Sequence, residues 1–418
     1  MKPQDLGDSL VMRNGSKEDI PGILEHFRLV HGEFVVDELK ALLEHHPRFS
    51  WENSFIIEDT DSGEVVSAVF LLLNTWTLDG VELSSAEMEA VGTLEAYRYR
   101  GHMHLLNDEF EKCAKRLKPV IQAIAGIPYF YRIFGYEYAA DLGGGYIVAP
   151  ALVPKLPDGE KEPVSFDQVD TKGFKEYLKY KEKFQLRNTW TRTIRPEDAG
   201  YLIFETTSNE QEAFFFFLVK EKEKIVGVFY FSRWENRLDL TELYLDDYTH
   251  VDAVLRYAEA WAQKWGGIPV RVSPPYQSQV REYVSARTQS KMKDVYAWYI
   301  KIPSVTRFIE AIGPLLTDRM RASEFHDFTG NLTFIDYRQG YSLSFEKGQF
   351  TGVGEKPEKS PQEYNLRLPK AALVRLLMGY ETLDELASHE PDVMCAATKK
   401  PLVRVIFPKL EASVHPFY

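Results

Sequence analysis

The spacing of apolar residues along the chain changes period repeatedly, and each change marks a new element. Leu10 to Arg13 reads as a short strand, and Ser16 with Asp19 three residues on forms a capping box that opens a helix through roughly Val30. Ser54 to Glu58 and Val65 to Trp76 are rich in Val, Phe and Ile and flank an Asp-Ser-Gly turn, so both read as strands. A second turn at Leu78-Asp79-Gly80 leads into a strand from about Val81 to Leu94. The period then becomes helical from Gly101 to Leu117, where Leu106, Phe110, Cys113 and Leu117 form one stripe. That stripe assigns Cys113 to the core and not to catalysis. Val120 to Ala125 is a buried strand, Tyr129 to Phe134 one or two helical turns, and Tyr136 to Val148 a strand interrupted by Gly143-Gly144-Gly145.

Pro150, Pro154, Pro157 and Pro163, with Asp-Gly and Glu-Lys-Glu between them, form a polar linker. Beyond it a related order recurs. Helical sequence near Phe174 to Glu182 precedes strands at Tyr201 to Glu205, Ala213 to Lys220, Lys224 to Arg233 and Leu238 to Leu245. A helix follows from about Val251 to Lys264, then a strand at Val270 to Val272, a helix near Gln277 to Ala286 and a strand at Val295 to Ile302. The repeated order suggests a diverged internal duplication. The last segment, from about Ser304, has a helix with Phe308, Ile312 and Leu316, alternating strands at Asn331 to Asp336 and Tyr341 to Glu346, and a charged loop from Gly354 to Pro361. Leu368-Pro369 opens another helix, Asp384 to Ser388 is helical, and Leu402 to Phe407 is an apolar tail. The chain ends on His415-Pro416-Phe417-Tyr418, an aromatic end that predicts docking where termini usually fray.

At 418 residues the chain exceeds what one hydrophobic core organises. The expectation is mixed α/β in three parts: 1–149, 150–303 and 304–418. A 44% hydrophobic and 27% charged composition is that of an ordered globular protein. The longest apolar run, Ala213 to Val219, is far short of a bilayer span, and the first twenty residues hold no signal-peptide core. With two cysteines there is no disulfide framework, so a cytoplasmic protein with no membrane partner is expected. The net charge of −12 argues against nucleic-acid binding and weakly favours cationic partners.

The segment with most chemistry is Val91-Gly92-Thr93-Leu94-Glu95-Ala96-Tyr97-Arg98-Tyr99-Arg100-Gly101-His102-Met103. A strand runs through a turn dense in Arg and Gly into a helix N-terminus, which aims free amides and a partial positive charge at one point, as pyrophosphate binding requires. Arg98 and Arg100 add full charges, and Gly101 permits close backbone approach. Neither a Walker loop nor the three-glycine dinucleotide fingerprint is present.

This Arg-x-x-Gly turn resembles the acetyl-CoA-binding motif of the GNAT acyltransferase superfamily, with Met103 departing at the last position. Tyr129-Phe130-Tyr131-Arg132-Ile133-Phe134-Gly135-Tyr136 resembles that family's Tyr-x-x-(Leu/Phe)-Gly-(Phe/Tyr) signature, after the next strand. The resemblance implies that acetyl-CoA is held by Val91, Thr93, Arg98, Tyr99, Arg100, Gly101, His102 and Met103, and that Tyr131 protonates the departing thiolate. Two such units, the second degenerate, with a tail carrying Leu376-Leu377-Met378-Gly379-Tyr380, Ile406-Phe407-Pro408 and Phe417-Tyr418, resemble the Eis-like acetyltransferases. That likeness implies a sterol-carrier-like third domain, a hexamer, and the terminal carboxylate of Tyr418 as general base. The implied reaction is acetyl transfer to a primary amine of aminoglycoside, polyamine or lysine type by direct attack, with no metal. An ammonium must lose a proton before it can attack a thioester. A backbone N–H where the strand splays near Val91 would meet the charge developing on the carbonyl oxygen.

His45-His46 and His102-x-His104 lack a third ligand pattern and read as solvated or helix-start histidines. Glu25, Glu33 and Glu87 read as solvated rather than facing an amine. In the second unit Asp246-Asp247-Tyr248-Thr249-His250 stands where the phosphate loop should be, and its carboxylates would repel phosphates, so that unit is expected to bind no acetyl-CoA and to shape the substrate cleft. Lipid binding in the third domain, or non-catalytic CoA binding, are the alternatives.

Overall fold

The structure is a computed structural model that describes residues 1–184, 186–205, 213–234, 236–273, 278–288, 296–356 and 360–415. In chain order the first part contains β1 (Gln4–Gly7), β2 (Leu10–Asn14), α1 (Ile20–His31), α2 (Val36–His45), β3 (Ser54–Asp59), β4 (Glu64–Leu78), β5 (Val81–Thr93), α3 (His102–Leu117), β6 (Ile121–Ile124), β7 (Glu137–Leu142) and β8 (Tyr146–Val148). The second contains β9 (Ser165–Gln168), α4 (Phe174–Lys181), β10 (Thr189–Arg192), β11 (Ala213–Glu221), β12 (Lys224–Trp234), β13 (Arg237–Leu245), α5 (Val251–Lys264), β14 (Val270–Ser273), α6 (Gln279–Thr288) and β15 (Tyr296–Lys301). The third runs α7 (Val305–Ala311), α8 (Gly313–Arg321), β16 (Gly330–Ile335), β17 (Gly340–Glu346), β18 (Gln349–Lys356), β19 (Leu366–Arg367), α9 (Lys370–Leu377), α10 (Leu383–His389), β20 (Met394–Cys395), α11 (Lys400–Ile406) and β21 (Glu411–Ser413).

The fold class is mixed α/β, as expected. β4 reads as a near-continuous apolar run from Val65 to Leu73 because it is covered on both faces. Ile23 and Phe27 of α1 and Leu39, Leu42 and Leu43 of α2 pack on one side, where Phe70 and Leu72 point. Leu106, Phe110, Cys113 and Ala114 of α3 pack on the other, with Val69 and Leu71. Cys113 is buried as expected, its thiol donating to the Asn53 side-chain oxygen at 3.2 Å. The Ser16–Asp19 capping box forms as read, although it opens a 3-10 turn that runs into α1.

The sheets do not respect chain order. Strand β15 inserts between β6 and β7, pairing Tyr299 with Ile124 and Tyr138, so a strand expected to finish the second unit lies in the first unit's sheet. In return β8 pairs with β14 in the second sheet, Tyr146 facing Val272. Each unit gives its last strand to the other. Strands β10 and β21 extend the first sheet beside β4, with Trp190 opposite both Leu78 and Ala412.

One buried core joins that sheet to the third part: Trp76, Trp190 and Trp298 meet Phe308, Leu377 and Val414. The indoles are anchored as well as packed, Trp190 donating to the Met378 carbonyl at 2.9 Å and Trp298 to the Val414 carbonyl at 3.0 Å. The aromatic end is therefore docked as far as Val414; Pro416 to Tyr418 lie outside the described residues.

Several expectations change. Tyr201 to Glu205 is a π-helical turn (Gly200–Glu205) instead of a strand, with Tyr201 and Leu202 buried. The charged loop at Gly354 begins inside β18, and the apolar tail at Leu402 is helical α11. No helix among the described residues is long and apolar enough to cross a membrane.

Candidate active site

The site begins where two paired strands part. β5 and β6 run parallel with Ser85, Ala86 and Glu87 opposite Ile121, Gln122 and Ala123, and the pairing stops there. On the other edge of β5, Phe70 faces Glu89 but Ala68 faces Gly92, so β5 carries one extra residue. The bulge is at Ala90, whose φ is +47°. Such a bulge bends its strand and frees a backbone group from the ladder. The wedge between β5 and β6 is a cavity of about 1200 Å³ lined by both.

The chain leaves β5 through a 3-10 turn (Glu95–Tyr97), and Tyr97 donates to Asp59 at 2.7 Å, pinning the turn to β3. Tyr99 at φ +65° and Gly101 at φ +83° then reverse the backbone into α3. A side chain at Gly101 would meet no atom within 4 Å, so glycine is required there for its dihedral and not for space. In the first turn of α3 the amides of His104 and Leu105 already bond the Gly101 carbonyl, at 3.0 and 3.2 Å, which leaves those of His102 and Met103, both cavity-lining residues, for an anion. Val91, Thr93, Arg98, Tyr99, Gly101, His102 and Met103 all line the cavity. Arg100 is turned back, its guanidinium 5.1 Å from the Tyr97 ring and bonded to the Ala96 carbonyl. Arg98 donates to the Thr93 carbonyl at 3.2 Å and is the cation at the loop's mouth. His102 is buried, with its proton affinity lowered by desolvation and by Arg100, and its Nδ1 has no partner among the described residues.

Tyr131 closes the opposite wall. After β6, Gly126 and a left-handed Tyr129 (φ +69°) throw the chain into the Phe130–Phe134 turn. A Cβ at Gly126 would lie 2.1 Å from the Tyr131 ring, so only glycine lets the ring sit there. Tyr299 of β15 supports it at 5.5 Å, and Tyr296 donates to the Gly126 carbonyl at 2.5 Å while itself lining the cavity. Burial first, and then the neighbouring Glu89 carboxyl, raises the Tyr131 hydroxyl well above the ordinary phenol range. It stays protonated across neutral pH.

The structure adds Glu89, which the sequence reading overlooked. It is buried, lines the cavity, and is held above the ordinary carboxylate range, first by desolvation and then by Glu87, with Arg192 acting against both. Glu87 corrects an expectation: it is fully buried instead of solvated. Its carboxylate accepts from Trp76 and Asn74, each at 2.9 Å, and pairs with Arg192 of β10. Glu25 and Glu33 are exposed and lie outside the cavity lining. His46 also departs from a solvated reading. It is buried against Tyr201 at 4.8 Å, and desolvation lowers its pKa to about 3. Tyr418, the expected general base, lies outside the described residues.

Residues 11–139 match the family model for the acetyltransferase (GNAT) domain. The first part of the chain carries a GNAT acetyltransferase domain. No curated protein matches the chain. Among solved structures, the whole GNAT-bearing chain is similar to a probable N-acyltransferase from Enterococcus faecalis, with 13% identity over 98% of this chain and 100% of that one and a TM-score of 0.71. A GCN5-related N-acetyltransferase from Anabaena variabilis aligns at 16% identity over 97% and 99% of the two chains, with a TM-score of 0.70. Eis1 from Mycobacterium abscessus aligns at 11% identity over 96% and 98%, with a TM-score of 0.58. At these identities the likeness is one of fold, and it extends across all three parts of the GNAT-bearing chain.

Proposed function

We propose that the chain is an acetyl-CoA-dependent N-acetyltransferase that acetylates primary amines by direct attack, the 1–149 part carrying the chemistry. The observation that supports this best is a cavity whose lining brings together Thr93, Arg98, Gly101, His102 and Met103 of the turn with Tyr131 and Glu89. The residues present fit acetyl-CoA: Arg98, the α3 amides and the left-handed Gly101 form a cradle for a pyrophosphate. Bound there, acetyl-CoA would supply the thioester.

The protein's own groups then handle protons and charge. Tyr131, protonated across neutral pH, gives its proton to the departing sulfur. A backbone amide at the bulge near Val91 faces the carbonyl oxygen as charge develops. The amine's proton goes to a carboxylate, and two are candidates: the terminus of Tyr418, implied by the Eis-like resemblance, and Glu89. Parts 150–303 and 304–418 are a degenerate GNAT-like unit and a sterol-carrier-like domain on this reading. The second unit's contribution to the site is β15, through Tyr296 and Tyr299. A small-molecule or peptide amine is the acceptor class, the resemblance implies a hexamer, and the sparse cysteines suit a cytoplasmic protein.

The test is CoA release from acetyl-CoA across an amine panel, with the C-terminus unextended. Release that Tyr131→Phe suppresses supports the reading; acetyl-CoA that binds and is never turned over contradicts it. Comparing Glu89→Gln with a C-terminal extension then assigns the proton acceptor, since only the true acceptor's loss abolishes turnover while acetyl-CoA still binds.

A further inference from the structure

The cavity's walls differ in chemistry. Its phosphate side is the polar loop already described. The side formed by α1, α2 and the end of β5 presents Phe27, Val30, Val35, Leu39, Leu42 and Met88. Polar groups on that side are few. His31 is already engaged, its Nε2 2.9 Å from the Val91 carbonyl and its ring stacked on Phe27 at 5.7 Å. Among the described lining residues Glu38 and Glu89 are the carboxyl groups, Glu38 half-buried on α2 and Glu89 buried beside Tyr131. Arg98, on the opposite side, is the one lysine or arginine among the described lining residues.

We infer that the acceptor is a hydrophobic primary monoamine, one reactive nitrogen on an aryl or alkyl body, and not a polycation. The inference rests on the acyl-transfer reading and narrows it. A polycation entering this wall would strip water from several ammonium groups, with Glu38 and Glu89 the carboxyls among the described lining residues to receive them. Buried charges left without partners are strongly disfavoured. An aryl or alkyl body instead buries apolar surface against α1 and α2, while its single nitrogen sits at Glu89 beside Tyr131. Aminoglycosides and most polyamines fit poorly by this argument.

The experiment measures kcat/KM for CoA release with 2-phenylethylamine, hexylamine, spermidine and kanamycin on the full chain. The expected result favours phenylethylamine and hexylamine over spermidine and kanamycin by about tenfold or more. Val30→Glu adds a carboxylate at a half-buried point of the apolar wall and should narrow that ratio by raising spermidine turnover. Faster turnover of spermidine or kanamycin by the unmodified protein would overturn the inference and leave the acyl-transfer reading standing. Acetyl-CoA binding with no release from any of the four would overturn both.

Discussion

The two strand–bulge–loop–helix segments share a backbone and differ in what fills it. In the first, Phe70 faces Glu89 while Ala68 faces Gly92, and Ala90 takes φ +47°. In the second, Tyr230 faces Thr241 while Val228 faces Tyr244, and Glu242 takes φ +51°. The extra residue therefore falls at the same place, which supports the duplication read from element order. Behind each bulge sits a buried, paired carboxylate: Glu87 with Arg192, Asp239 with Arg271 and Arg237. The contrast lies in the wedge. The first opens into the large cavity, whereas Glu242 is locked by Lys181 at 2.6 Å. The first loop spends eight residues between Thr93 and His102, with arginines and Gly101; the second reaches α5 in five, and Asp247 accepts the Thr249 amide at 2.8 Å. An amide bonded to a carboxylate is not available to a phosphate. Both segments thus keep the bulge, while the arginines and the left-handed glycine stand only in the first loop.

This contrast can be broken at defined points. The largest effect is expected at Tyr131→Phe, which should lower kcat by about a hundredfold or more with acetyl-CoA affinity retained, checked by stopped-time CoA release and titration. In the second unit Lys181→Met should leave Glu242 buried and unpaired, costing roughly 3–5 kcal/mol in denaturant unfolding with KM for acetyl-CoA unchanged. Glu89→Gln carries a pH signature. The folded chain holds the Glu89 proton more tightly than the unfolded chain does, so its burial costs stability increasingly as pH rises above about 4.3. The variant's gain in Tm over the parent should therefore grow from about pH 5 to about pH 8, and a constant difference would count against a raised Glu89. Gly101→Ala strains a left-handed residue and should weaken acetyl-CoA binding by about tenfold with a loss of about 1 kcal/mol. Asp247→Ala is the smallest: about 1 kcal/mol of stability from a lost cap, with turnover untouched.

Local pattern carried most of this fold. The α3 stripe, the turn at Asp79-Gly80, the α5 limits at Val251 and Lys264, and the polarity contrast between the two loops were all readable, because each depends on neighbours within a few residues. Helix α2 was readable but overlooked: Val36, Leu39, Leu42 and Leu43 have helical spacing, with Asp37 and Glu38 in the first turn. It supplies much of the cavity's apolar wall. Glu89 was hidden for a different reason. Which face a carboxylate takes beyond a bulge depends on the register of β4 against β5, and that register is a tertiary fact. The exchange of β8 and β15 was equally invisible, since nothing in a short strand's own residues names the sheet it joins. Glu87 and Arg192, 105 positions apart, became one buried pair only once β10 joined the edge of β4.

The central claim is that one of the two units binds acetyl-CoA and the other cannot. Calorimetric titration of the full chain with acetyl-CoA tests it most directly. The account predicts one site per chain, weakened by Arg98→Ala and Gly101→Ala and indifferent to Asp247→Ala. Two sites per chain, or a single site that ignores the Arg98–Gly101 turn, would contradict it.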